Sequence, residues 1–266
     1  MAGTEHLTVR REGATLVLTL NRPESKNALS LPMLVGLHDG WLAADEDDEI
    51  RSVVLTGAGG CFCAGMDLKA LAGDGMAGER YRDRMKADPD LHWKAMLRHH
   101  RPRKPVIAAV EGHCVAGGTE ILQGTDIRIA GENAVFGLFE VRRGLFPIGG
   151  STVRLPRQIA RTHALEMLLT GRPYSAGEAA AIGLIGRVVP DGTALDAALA
   201  VAEQINACGP LAVEEVKASV YETAEMTETE GLAAELKRGR PVFATADAKE
   251  GARAFAEKRP PVYRRL

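Results

Sequence analysis

Cysteine is scarce. Cys61, Cys63, Cys114 and Cys208 are the only four in 266 residues, too few for a disulfide scaffold. The Cys61-Phe62-Cys63 spacing suits neither a zinc ribbon nor a thioredoxin pair, so all four are expected as reduced, mostly buried thiols. Aromatic residues are few, at 5%. No sign of charge dominates: 33 basic side chains face 35 acidic ones, a net charge of −2. There is no global basic field for nucleic acid or an anionic membrane. The longest apolar runs, such as Val106–Val110, fall far short of a membrane span. The opening residues Met1-Ala-Gly-Thr-Glu-His6 hold no apolar signal region, and a cytoplasmic enzyme is the expectation. The chain also lacks a Walker A pattern, a Gly-x-Ser-x-Gly elbow and a His-Glu-x-x-His pair.

What remains is an ordinary globular composition, 45% hydrophobic and 26% charged. A chain of this length buries roughly 70–75% of its unfolded surface and needs no staples. Glycine is plentiful, 29 residues, which points to tight turns and close backbone approach in functional loops.

Residues 7–20 read as a hairpin, with Leu16, Leu18 and Leu20 alternating and a turn at Glu12-Gly13. Residues 30–44 read as a helix capped by Ser30 and opened by Pro32. Apolar strands follow at 52–56, 105–110 and 126–130, with a short helix from Gly117 and a further strand and helix over 134–170. Strands alternating with helices predict an α/β architecture. Residues 68–100 are polar and partly helical, with Gly73, Gly75 and Gly78 suggesting mobility. From 191 onward the pattern is helical, with an apolar stripe at Leu195, Ala198, Leu199, Ala202 and Ile205 and a new helix from Pro210 through Val216 and Val220. This tail is too small for a core of its own and must cover the first half or a neighbouring subunit. A faint echo links Val53-Val-Leu-Thr…Cys63-Ala-Gly65 to Val106-Ile-Ala-Ala…Val115-Ala-Gly117. We treat it as architecture rather than duplication.

Gly57-Ala-Gly-Gly-Cys-Phe62 follows a strand but lacks the third glycine of a dinucleotide fingerprint, which leaves Gly59-Gly60 a plain turn. Ala116-Gly-Gly-Thr-Glu120 differs: a glycine pair opens a helix straight after a buried strand, and its free N–H groups favour developing negative charge. Glu120 lies one turn on, and Phe136-Gly-Leu-Phe-Glu140 brings a second carboxylate among apolar residues. Taken singly, each glutamate is better explained as a helix-end or salt-bridge residue.

Several ordered segments together change that balance. Asn21-Arg-Pro…Lys26-Asn-Ala-Leu29, Cys61-Phe-Cys-Ala-Gly-Met-Asp-Leu68, Lys104-Pro-Val-Ile-Ala-Ala-Val-Glu-Gly112, Ala116–Glu120, Phe136–Glu140, Gly144-Leu-Phe-Pro147 and Ala254-Phe-Ala-Glu-Lys-Arg259 resemble the crotonase (enoyl-CoA hydratase/isomerase) family over nearly the whole chain. The resemblance implies an α/β spiral of ββα units over 1–190 that carries an acyl-CoA site. It implies a helical region over 191–266 that builds a homotrimer, often paired into a hexamer.

The resemblance assigns the backbone N–H groups of Met66 and Gly117 to an oxyanion hole for the thioester carbonyl. It makes Glu120 and Glu140 the two carboxylates of a hydratase. Lys26, Ala28, Ala64 and Asp67 fall in segments that meet coenzyme A, and Phe255 and Lys258 match residues that reach its adenine and 3′-phosphate region across a subunit boundary. It implies no metal and no cofactor, coenzyme A being part of the substrate. Two facing carboxylates divide hydration if one is ionised and one protonated: Glu120 activates the water and Glu140 handles the C2 proton. Phe139 stands where the family often has proline, which bears on the acyl group accepted.

Rival readings are weaker. A Δ3-Δ2 isomerase needs Glu140 alone and leaves Glu120 unexplained. A non-catalytic acyl-CoA or RNA binder would not need both carboxylates, and the charge balance argues against RNA. A nicotinamide oxidoreductase lacks its glycine fingerprint. The basic run Arg98-His-His-Arg-Pro-Arg-Lys104 reads as a solvated helix end. His113 and Cys114 read as packing residues pointing apart, and Asp67 also as an anchor for its loop. Met76, Met85 and Met96 read as core filling, or as the lining of an acyl tunnel.

Overall fold

The computed structural model describes residues 3–67 and 79–266. Gly73, Gly75, Gly78, Met76 and Leu68 lie outside the described residues. The predicted hairpin forms from β1 (Leu7–Glu12) and β2 (Thr15–Leu20), paired antiparallel. Gly13, at φ +56°, makes the turn that a side chain would strain. Helix α1 (Leu31–Glu46) follows, with the Ser30 hydroxyl accepting from the Met33 amide at 3.4 Å. Then come β3 (Ser52–Gly57), α2 (Glu79–Ala87), α3 (Leu91–Ala95), β4 (Val106–Val110), β5 (His113–Val115), α4 (Gly117–Leu122), β6 (Ile127–Gly131) and β7 (Val135–Gly137).

The chain continues through α5 (Ser151–Gln158), α6 (Arg161–Thr170), β8 (Tyr174–Ser175), α7 (Ala176–Ala181) and β9 (Arg187–Val189). Four helices close it: α8 (Ala194–Asn206), α9 (Pro210–Glu222), α10 (Glu228–Phe243) and α11 (Ala246–Ala256).

Two sheets stack. The larger has the order β1-β2-β3-β4-β6-β9, and only its β1–β2 pair is antiparallel. The smaller has the order β5-β7-β8, and single parallel bridges extend it from Cys114 to Cys63 and from Met66 to Leu29. Each turn of the chain therefore lays one strand in the large sheet and a short extended piece in the second layer. The echo between 53–65 and 106–117 is this repeat made visible: β3 and β4 pair in one layer, and Cys63 and Cys114 pair in the other.

The two-residue period of the strands decides which face meets which layer. Leu16, Leu18, Leu20, Val53, Leu55, Val106, Ala108 and Val110 face the main core, with α1 and the second layer. Val17, Val54, Ile107, Ala109 and Ile129 face the other way, onto Ala194, Ala198, Val201 and Ala202 of α8. The stripe expected on 195–205 thus covers the first half, and α8 is built into the core. Both sheet faces are dry, which is why these strands read as unbroken apolar runs.

Arg98, His99, Arg101 and Arg103 are exposed, as a solvated helix end requires, and Lys104 is the exception. Lys104 is fully buried, its ammonium 3.2 Å from Glu214 of α9. Arg103 and Arg265 share that carboxylate, and the Arg101 guanidinium stacks 3.3 Å from the Tyr221 ring centroid. A buried Lys–Glu pair holds only while both charges are present, so this cluster latches α9 to the start of β4. His113 is exposed while Cys114 is buried; the pair points apart, but only the cysteine packs. Met96 is buried in the main core, and Met85 lies against Val35, Tyr81 and Leu91. Cys61, Cys63 and Cys114 are buried free thiols, and Cys208 is exposed.

Candidate active site

Four extended pieces lie side by side past the ends of β3 and β4. The Ala64 amide donates to Lys26 O at 3.0 Å, the Leu29 amide to Gly65 O at 2.7 Å and the Asp67 amide to Leu29 O at 3.2 Å. On the other flank the Cys63 amide donates to His113 O at 2.8 Å, and the Val115 amide to Cys63 O at 3.0 Å. Asn27, fully buried, pins the first piece: its side chain donates to Ala58 O at 2.9 Å and to Cys61 O at 2.5 Å. The Arg22–Asp67 ion pair, 2.5 Å, ties the same loop from outside. Asp67 is thus the loop anchor the sequence suggested. Asn27 and Arg22 were quoted in the motif but given no role.

This stacking brings the Met66 and Gly117 amides together. A Cβ built on Gly117 would lie 3.4 Å from Met66 N, and one on Gly65 would lie 3.1 Å from Gly117 N. Neither amide donates to any acceptor among the described residues. Ala116 holds φ +51°, ψ −125°, a conformation costing an L-residue about 1–3 kcal/mol. Its own amide is fixed by Gly137 O at 2.7 Å, so the strain turns the next peptide and leaves the Gly117 N–H unused. Two neighbouring N–H groups with no acceptor among the described residues are what a developing oxyanion would need.

Helix α4 starts there, and Thr119 locks it: its hydroxyl lies 2.5 Å from Cys114 O and 3.1 Å from Gly137 O. Glu120, one turn in, is 5% exposed. Glu140 opens a 3-10 turn over 140–143 directly after β7 and is half-buried. Each carboxylate keeps one buried oxygen, Glu120 Oε1 and Glu140 Oε2, without a partner. Burial first, and then the charge of Glu140, holds the Glu120 carboxyl up at about 7, against the pull of the Ser151 and Gly149 amides. Burial also raises Glu140, which Arg143 draws back towards its charged form. Two unpartnered carboxyl oxygens, with two amides at the start of the helix that carries Glu120, suit acid–base work on a substrate whose carbonyl gains charge.

An enoyl-CoA hydratase/isomerase family model matches residues 10–265. The chain belongs to the enoyl-CoA hydratase/isomerase family. It is 52% identical to the enoyl-CoA hydratase EchA19 of Mycobacterium tuberculosis, over 95% of this chain and 94% of that protein. Among solved structures, a putative enoyl-CoA hydratase/isomerase from Mycobacterium abscessus superposes with a TM-score of 0.89 at 44% identity, covering 98% of this chain and all of that one. An enoyl-CoA hydratase from M. tuberculosis gives 0.88 at 40% identity, covering 98% and 99% of the two chains.

For a member of this family, the structure sorts the expected contact residues into two groups. Lys26 is exposed and Ala28 half-buried on the strip bonded to Ala64 and Gly65, so Lys26, Ala28, Ala64 and Asp67 are brought together beside the two amides. Phe255 and Lys258 are not. Phe255 is 87% exposed at the end of α11, and Lys258 is exposed just beyond it. Their helix packs on α10, and the tail that follows is held where Arg51 Nη2 donates to Tyr263 O at 2.9 Å. Arg51 precedes β3, whereas the 57–66 loop follows it, so the two groups lie at opposite ends of that strand. Three residues around Glu120 escaped the sequence reading: Gln123, Gly149 and Ser151. The one signal for them is Gly149-Gly150-Ser151 at a helix start, which repeats the pattern of Gly117-Gly118-Thr119.

The raised carboxyl makes a prediction about stability. An unfolded glutamate ionises near 4.5 and the folded Glu120 near 7. Between those values the unfolded chain binds fewer protons, so stability falls as pH rises through that window. The penalty is complete above about 7 and is worth on the order of 3 kcal/mol at most. Glu120→Gln should therefore melt at a higher temperature than wild type at pH 8, with the advantage shrinking towards pH 5. Parallel melting curves at several pH values check this, and a constant difference would contradict it.

Proposed function

We propose that the protein adds water across the C2=C3 double bond of a 2-enoyl-CoA thioester, in fatty-acid or related acyl-CoA breakdown. The observation that carries the reading is the pairing of a buried and a half-buried carboxylate, Glu120 and Glu140, with two backbone amides that find no acceptor among the described residues. The thioester oxygen sits between the Met66 and Gly117 N–H groups, which stabilise the enolate that forms when water attacks C3. One donor of this kind is worth about 3–4 kcal/mol in related sites.

The carboxyl pair carries one proton. With the proton on Glu120, Glu140 is the base that removes the C2 proton while Glu120 protonates the departing hydroxyl, which is dehydration. Hydration runs the same steps backwards: Glu120 as carboxylate takes a proton from water, and Glu140 delivers one to C2. The pair ends with the single proton it started with, and one water is added. Burial of Glu120 and the Arg143 charge beside Glu140 favour the first arrangement in the free protein. The two arrangements differ by one proton shift, so both directions remain open. No electrons move, and the chemistry asks for no metal or resident cofactor. An isomerase would use Glu140 and the amides but leave the Glu120 carboxyl without a task.

Lys26, Ala28, Ala64 and Asp67 line the approach of coenzyme A, and Phe255 and Lys258 reach it from a neighbouring subunit. With α8 in the core, the part of the C-terminal helical region free for subunit contact begins at Pro210. Val216 and Val220 of α9 are 64% and 63% exposed, and Leu236 and Phe243 of α10 are 54% and 83% exposed. Such a patch needs covering, so light scattering at micromolar concentration should give a trimer or hexamer. A stable, active monomer would contradict the assembly. Lys258→Ala should raise KM more than it lowers kcat, since a phosphate-facing ammonium contributes binding; an unchanged KM would remove Lys258 from the site. Among the described residues no helix is long and apolar enough to cross a membrane, and the free thiols fit the cytoplasm we assign. The function itself is tested by the loss of enoyl-thioester absorbance on acyl chains of several lengths. Phe139, whose ring lies against Gly137, is expected to set which chains are accepted.

A further inference from the structure

We propose that Gln123 and Ser151 are positioning residues for Glu120: the Gln123 amide fixes the Ser151 hydroxyl so that its hydrogen points at the Glu120 carboxylate. The inference rests on the two-carboxylate reading and deepens it.

The geometry starts at Thr119. Its carbonyl oxygen only accepts, and Gln123 Nε2 lies 3.2 Å from it, so the amide nitrogen faces that way. The same nitrogen lies 2.8 Å from Ser151 Oγ, which therefore accepts from it. The Ser151 O–H is left to donate, and the neighbouring acceptor is the Glu120 carboxylate, packed on Gly149 two residues earlier and drawn towards its charged form by the Ser151 hydroxyl and the Ser151 and Gly149 amides. The approach is tight: a Cβ on Gly149 would collide with the carboxylate. All three side chains are dry, with Gln123 at 2%, Ser151 at 0% and Glu120 at 5% exposure. Water cannot replace the hydroxyl.

Two charged groups act on Glu120. Glu140 faces it from the 140–143 turn. Arg154 of α5 is the cation, its guanidinium held by Leu97 O and Arg98 O. Arg154 Nη1 and Glu120 Oε1 are both buried without a partner, so they do not pair. Arg98, on the adjoining segment, is engaged by Ile148 O at 3.1 Å. The Ser151 hydroxyl is thus a neutral side-chain donor beside a carboxylate that has no ion-pair partner. A donor to the charged form favours that form, so Ser151 keeps the shared proton loose enough to move to Glu140.

The test follows the titration of Glu120 itself, by carboxyl 13C NMR of the full chain with Glu120→Gln giving the assignment. Ser151→Ala should raise the midpoint by about half a unit to one unit, with kcat falling several-fold and KM unmoved. Ser151→Gly should match it, and Ser151→Thr, which keeps the hydroxyl, should restore the wild-type midpoint. Gln123→Met should shift the midpoint the same way. The double variant Ser151→Ala/Gln123→Met should shift it no further than Ser151→Ala, because the two act in series. An unmoved midpoint in Ser151→Ala, or shifts that add, would overturn the relay. A shifted midpoint in a protein that hydrates no enoyl-CoA would sink the proposed function and leave the relay standing.

Discussion

Gly117→Pro should lose at least about a hundredfold in turnover relative to Gly117→Ala. Both variants place carbon at a position where a Cβ meets Leu29 Cδ1 at 3.3 Å and Gly65 Cα and Met66 N at 3.4 Å. The alanine keeps the amide hydrogen and the proline replaces it with a ring carbon, so their ratio removes the crowding due to Cβ and leaves the loss of the donor together with the ring carbon in its place. Proline is also tolerated at the first position of a helix, where the N–H is unpaired, and Gly117 opens α4. Loss of one oxyanion donor costs about a hundred- to a thousandfold in related sites. Steady-state rates on variants shown to be folded and assembled check this. Equal rates for proline and alanine would take Gly117 out of the oxyanion hole.

The two glutamates should fail in different ways. Glutamine keeps the size of each side chain but cannot take or release the proton. Glu140→Gln should lose hydration and also the exchange of C2 protons of a saturated acyl-CoA into deuterated water, because Glu140 is the base at C2. Glu120→Gln should lose hydration by a hundredfold or more and still exchange C2 protons and slowly isomerise a 3-enoyl thioester through Glu140 and the two amides. The double variant should be far less than multiplicatively worse, since the carboxyls act as a unit. Single-turnover hydration and deuterium exchange on the three variants give the comparison. Near-wild-type hydration by Glu120→Gln would replace the two-carboxylate mechanism with an isomerase-like one.

The strands of the first half were legible as short apolar runs, because the sheet buries both faces: Leu16 and Leu18 look one way and Val17 the other, and none of the three can be polar. Ser30, Pro32 and Gly117 marked helix starts for local reasons, and local chemistry is what a sequence displays. Lys104 was misread because its partner, Glu214, lies in a distant helix, and without that partner a lysine in a basic run belongs to solvent. The resemblance supplied Met66 and Gly117, whose proposed role lies in backbone hydrogens; nothing in the Met66 side chain points to it. Gln123 and Ser151 were missed because a polar residue near a helix end is ordinary until folding places it against a buried carboxylate. Phe255 and Lys258 stand away from the other expected contact residues within one chain, a separation that no local pattern in the sequence reveals.

The most direct measurement is product analysis of a 2-enoyl-CoA turned over in water doubly labelled with deuterium and 18O. The account predicts a 3-hydroxyacyl-CoA that carries one 18O at C3 and deuterium at C2, with the thioester intact. Free carboxylic acid carrying 18O would show thioester hydrolysis, and an unhydrated 3-enoyl-CoA would show double-bond migration; either as the main product contradicts hydration by the Glu120–Glu140 pair.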